Sequence, residues 1–121
     1  LGLAIYWGEG DKNFSDGQVK VSNIDPELLR LFKTFLEKLC KIKKEKIKAN
    51  LLLYSDLKAD ECLGYWSRAI GIEKNNFYKP VVIQGRRKTR RLSYGVCSLQ
   101  VNSKIVKKKI LVWIGLLSKL F

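Results

Sequence analysis

The chain has 121 residues, enough for one compact domain with a modest core, so a single domain over 1–121 is expected. Apolar residues at 46% and charged residues at 29% exclude global disorder. Against 24 Lys and Arg stand 11 Asp and Glu, a net charge of +13 that points to a polyanionic partner, with nucleic acid ahead of an anionic membrane surface.

In chain order, Leu1 to Gly8 is apolar and stops at Gly8-Glu9-Gly10, which predicts a short buried helix ended by glycine. Asn13-Phe14 and Gln18 to Ser22 flank the turn-like Ser15-Asp16-Gly17 and predict a hairpin with Val19 and Val21 on one side. Asp25-Pro26 supplies an N-cap and a proline at the first helical position. Leu28, Leu29, Leu31, Phe32, Phe35, Leu36 and Leu39 then recur at helical spacing, a helix from about Pro26 to Cys40. Between Lys46 and Tyr54, Ile47, Ala49, Leu51 and Leu53 alternate with Lys46, Lys48 and Asn50, a strand with a basic face. Ala59 to Ile70 puts Cys62, Leu63, Trp66 and Ile70 on one helical stripe before a capping Gly71. Pro80 to Gln84 and Tyr94 to Val101 predict a second hairpin, whose tip from Gly85 to Arg91 is too charged to be buried. Ser103 caps a last helix in which Ile105, Val106, Ile110, Trp113, Ile114 and Leu117 are apolar while Lys104, Lys107 and Lys108 are not. Trp66 and Trp113, each on an apolar stripe, are expected in the core.

Charge is unevenly distributed. Glu73 is the last acid, so the 12 basic residues from Lys74 onward have no acidic counterpart in their own part of the chain. Cys40, Cys62 and Cys97 are odd in number and far apart, which predicts buried apolar fillers in a reducing compartment rather than disulfides or metal ligands. The absence of histidine excludes His-based nucleases, Ser-His hydrolases and most zinc sites, leaving carboxylates, lysines and a bound metal for any chemistry. No apolar run reaches the roughly 20 residues of a membrane span, and the N-terminus lacks a charged region before its apolar stretch. A cytoplasmic, nucleoid-associated or organellar protein is expected, not a secreted one. Because the chain opens on Leu1 inside an apolar pattern, an upstream segment is also expected.

Gly2 to Gly10 reads Gly-Leu-Ala-Ile-Tyr-Trp-Gly-Glu-Gly, with small residues Ala4 and Gly8 four positions apart and an acid directly after them. Small residues at that spacing leave a flat strip on which a second helix backbone can approach closely. An acid at the end of such a helix adds to the negative end of the helix dipole and attracts a cation. Together with the element order after it, this segment resembles the LAGLIDADG motif of the homing endonucleases, and the resemblance extends over most of the chain. Trp7, at a position usually polar in that family, and Leu3, where a small residue is common, depart from the pattern.

The resemblance implies an α/β (α+β) fold: an αββαββα core, with an extra helix around Trp66 between the third strand and the last hairpin. It implies a homodimer paired through Ala4 and Gly8, and Mg²⁺ held at Glu9 and Gly10. Asn102 and Lys104 would complete the catalytic group near the activated water, with Ser22 and Asn23 as water-orienting groups. Bases of a near-palindromic duplex would be read by Lys20, Lys46, Lys48, Asn50 and Gln84, and its phosphates gripped by Arg86, Arg87, Lys88, Arg90 and Arg91. The expected function is site-specific double-strand DNA cleavage by an intron- or intein-type enzyme. The alternatives are a non-catalytic DNA-binding regulator on the same fold and an RNA-splicing cofactor.

Overall fold

The computed structural model describes residues 17–85 and 94–119 together with Gly2 and Tyr6. Glu9, Gly10, Ala4, Gly8, the first strand of the predicted N-terminal hairpin and the arginine-rich tip lie outside the described residues. Among those described, a four-stranded mixed sheet combines with three helices. The strands are β1 (Gln18–Asn23), β2 (Lys48–Tyr54), β3 (Val81–Ile83) and β4 (Val96–Asn102), and the helices are α1 (Pro26–Lys38), α2 (Ala59–Ile70) and α3 (Lys104–Ser118).

Local chemistry accounts for the helix ends. Asp25 caps α1 by accepting from the Glu27 N–H at 2.9 Å, and Pro26 occupies a first-turn position whose N–H would otherwise be unsatisfied. The helix stops at Lys38, two residues before the expected end. Lys41 takes a left-handed backbone (φ 58°), and the Ile42 N–H returns to the Leu36 carbonyl. Of the predicted apolar stripe, Leu29, Phe32, Phe35 and Leu36 are buried, whereas Leu31 and Leu39 are exposed. α2 has the predicted bounds and ends on Gly71, whose left-handed conformation lets its N–H bond to the Ser67 carbonyl at 3.0 Å.

In α3 two expectations are corrected. Lys107 is fully buried beside Ile110 and Ile114 instead of solvated, and Ile105 is largely exposed. The core-facing stripe thus runs through 107, 110 and 114, at three- and four-residue spacing, which places 105 on the far side.

The strands follow their alternation. Val19 and Val21, Ala49, Leu51 and Leu53, and Cys97, Leu99 and Val101 are all buried, while their sequence neighbours face the other way. These residues join Leu29, Phe32 and Leu36 of α1, Cys62, Trp66 and Ile70 of α2, and Ile110 and Ile114 of α3 in one core. Trp66 is 1% exposed and donates from Nε1 to the Tyr94 carbonyl at 2.8 Å, so its polar edge is satisfied inside the core. Trp113 is partly buried against the same core. Tyr6 is buried and stacks on Phe32 with centroids 6.0 Å apart, and any side chain at Gly2 would overlap the Phe35 ring. Both residues are helical, and both pack on α1.

Pairing within the sheet differs from the predicted second hairpin, while the first strand of the N-terminal one lies outside the described residues. The strand order is β1-β4-β2-β3. β3 does not pair with β4. It lies parallel to β2, with Leu52 opposite Val81, and β4 is instead antiparallel to β1 on one side and β2 on the other. α2 is therefore the crossover that a parallel strand pair requires. Lys46 falls in a short 3₁₀ turn (Lys44–Lys46) before β2 rather than in the strand. No described helix is long and apolar enough to cross a membrane.

Candidate nucleic-acid interface

Alternation that buries one face of β1, β4 and β2 turns their polar residues to the other. Register then assembles those residues into rows across three strands. Lys20 lies opposite Gln100, which lies opposite Lys48. Ser22 lies opposite Ser98, which lies opposite Asn50, and Gln18 pairs with Asn102. A row spanning three strands is roughly 10 Å wide, from two inter-strand spacings. That is within the roughly 12 Å width of a DNA major groove.

The strands themselves carry no acid. Lys20 forms no ion pair with a described residue, whereas other lysines are engaged on helix surfaces, as in Lys33–Glu37 at 3.1 Å. Lys48 donates to Asn76 Oδ1 at 3.3 Å, which steadies its ammonium at the start of β2. Ser22 and Ser98 share a hydrogen bond at 2.7 Å that ties β1 to β4 across the face. Asn50 holds its Oδ1 out of solvent with no hydrogen-bond partner among the described residues, at a cost of about 1–3 kcal/mol.

Beyond the polar rows the face changes character. Val96, Leu52 and Val81 make the next row, and Ile83 lies beside Tyr54, with Leu52, Val81 and Ile83 substantially exposed. The face is therefore amide- and lysine-rich at the end where β4 finishes and apolar toward the β3 edge.

Of the sequence-predicted residues, the structure brings Lys20, Lys48 and Asn50 together and sets Lys46 next to them in the turn before β2. Gln84 is exposed just past β3, at the apolar end and apart from the polar rows. Ser22 is committed to Ser98, and Asn23 accepts from the Asp25 N–H in the turn into α1, at 2.9 Å. Asn102 is exposed at the end of β4 and Lys104 begins α3, the two separated by the helix-capping Ser103. That junction is anchored to Gly17: the Ser103 N–H bonds to the Gly17 carbonyl at 2.9 Å, and the Lys104 stem fills the space beside the Gly17 Cα. Glu9 and Gly10, their expected companions, lie outside the described residues, as do Arg86, Arg87, Lys88, Arg90 and Arg91. Among the described residues, no group of three or more Cys, Asp and Glu converges as a metal site.

Sequence reading missed Ser98 and Gln100. The signal was present, because Ser98, Gln100 and Asn102 alternate with Cys97, Leu99 and Val101. Gln100 is the central member of its row and only 8% exposed. The cysteines offer no competing chemistry. Burial pushes the Cys97 thiol up to about 12. Cys62 is raised by burial and by Glu61, and Cys40 by burial against an opposing Lys109 charge. All three are free thiols, although Cys40 is only partly buried and so is not the full core filler expected.

Compared with protein families, with curated proteins and with solved structures, the chain matches none.

Proposed function

We propose that this protein binds duplex DNA through the open face of its sheet and, as a homodimer of LAGLIDADG type, cleaves both strands with Mg²⁺ at paired Glu9 carboxylates. The observation that carries the binding half is the lysine–glutamine–lysine row of Lys20, Gln100 and Lys48 beside Asn50, on strands free of acids. Amide and ammonium groups are the side chains that read base edges and neutralise phosphates. Lys20 and Lys48, both partly exposed, flank the buried Gln100, and the row they make is narrower than the major groove.

The cleavage half rests on the opening motif. Gly2 and Tyr6, one turn apart, both face the core. In the sequence, Ala4 and Gly8 are small residues four positions apart, the spacing that lets a second helix backbone approach closely. Glu9 of each copy would then hold Mg²⁺, which supplies Lewis-acid stabilisation of charge on a scissile phosphate.

A randomised duplex library incubated with Mg²⁺ tests both halves. Lys20→Ala with Lys48→Ala is expected to weaken binding by about tenfold or more, while Lys58→Ala, on an exposed helix end, leaves it unchanged. Glu9→Gln is expected to abolish cutting and spare binding. If wild type binds but cuts under no metal, the protein is a DNA-binding regulator on this scaffold. If it binds no duplex, the sheet-face reading fails.

A further inference from the structure

At the end of the sheet where β4 finishes and β2 begins, residues between Cys40 and Lys46 line an open groove of about 710 Å³ together with Lys48, Tyr78 and the end of β4. That volume lies in the range of small-ligand sites. Its lining is uneven in charge: Lys41, Lys43, Lys46 and Lys48 against a single carboxylate, Glu45. Gln100 also lines it. The residue is more than nine-tenths buried, yet its side-chain amide makes no hydrogen bond with any described residue and, unlike Asn50 Oδ1, keeps access to solvent in the groove, where it is free to meet a ligand. Tyr78, nearly half exposed, adds an aromatic wall, and its backbone N–H is pinned to the Ala49 carbonyl at 2.9 Å.

Each of these groups asks for a different part of one ligand. An amide offers a donor and an acceptor side by side, the pattern that pairs with a base edge. An aromatic ring offers a stacking surface for a base. Clustered lysines offer charge for a phosphate. We infer that the groove is a binding site for a single nucleotide unit, with the base against Gln100 and Tyr78 and its phosphate among Lys41, Lys43, Lys46 and Lys48. The inference extends the duplex-binding reading but does not depend on it, since the site is formed by one chain and takes one nucleotide. The unit arrives either as a free nucleoside monophosphate or as the phosphorylated end of a single strand.

Isothermal titration of the full chain with deoxyadenosine and thymidine 5′-monophosphates tests this, with inorganic phosphate and the unphosphorylated nucleosides as comparators. At least one monophosphate is expected to bind tenfold or more tightly than either of its parts. Gln100→Leu, which replaces an unpartnered amide by an apolar side chain and so keeps the fold, is expected to weaken it about tenfold, as is Lys41→Ala with Lys43→Ala. Competition by a 5′-phosphorylated single-stranded oligonucleotide supports the strand end as source, and failure to compete supports the free nucleotide. No binding of any monophosphate, phosphate alone binding as tightly, or indifference to Gln100→Leu would each overturn the site. Loss of duplex binding with mononucleotide binding intact would defeat only the sheet-face reading.

Discussion

Single side chains carry most of what distinguishes this sheet from an ordinary amphipathic one. Asn50 buries its amide oxygen beside Lys48 with no hydrogen-bond partner among the described residues, and Gln100, in the row of Lys48, is largely buried yet keeps its amide open to the groove. A buried oxygen without a partner costs stability, and a ligand that donates to it would offset that cost. Cys97 shows the opposite case, a thiol kept neutral by burial. Its folded pKa of about 12 lies above the ordinary 9.0, so the folded state keeps its proton in a range where the unfolded chain releases it. The contribution to stability is therefore complete below about pH 9 and is lost as pH rises from about 9 to 12. Urea unfolding across that window is expected to show wild type losing up to about 1.4 kcal/mol per pH unit more than Cys97→Ala. Parallel losses in the two proteins would show that Cys97 plays no part.

Among the elements, the helices are set locally and the sheet is not. Ser103 lets α3 begin directly after β4 by accepting from the Val106 N–H at 3.2 Å. Ser103→Ala is expected to cost about 1 kcal/mol, read as a fall in the urea midpoint, with α3 frayed at the end that borders the groove. The caps of α1 and α2 were legible for the same reason: Asp25-Pro26 and Gly71 act on backbone within a few residues of themselves. The partner of β3 was not legible. Val81–Ile83 is short, apolar and close in sequence to β4, which suggested a hairpin, yet β4 has both of its edges taken by β1 and β2. Strand pairing is decided by which edge remains open after the core has formed, and no local pattern reports that.

At the scale of the molecule, the basic residues that are described are spread over several elements. β4, from the acid-free part of the chain, is inserted between β1 and β2 and carries no charge of its own, and Lys107 of α3 is buried. The exposed and partly exposed cations among the described residues include Lys20 and Lys48 on the sheet face, Lys41, Lys43 and Lys46 around the groove, and Lys104, Lys108 and Lys109 on α3. Binding to duplex DNA is expected to fall steeply with salt. Lys20→Ala and Lys48→Ala should each reduce the slope of log K against log salt by about 1, and replacing Arg86, Arg87, Arg90 and Arg91 by Ala should reduce it by about 3 to 4. Equal slopes in wild type and the arginine variant would mean that the tip does not touch phosphate.

Composition, periodicity and capping by themselves determined a mixed α/β chain with helices near 26–40 and 59–70, a strand with its basic face at Lys48 and Asn50, and an excess of cations in need of an anion. Those properties are local, since a cap, a 3.6-residue stripe or a two-residue alternation is complete within a few turns or residues. Only the tertiary structure decided that Lys20, Gln100 and Lys48 share a row, that Lys107 is inside and Ile105 outside, and that the Lys41–Lys48 segment walls a groove with Gln100 in it. Each of these depends on contacts between residues dozens of positions apart. Their free energy is settled by burial across the whole core and not by the neighbours of any one side chain.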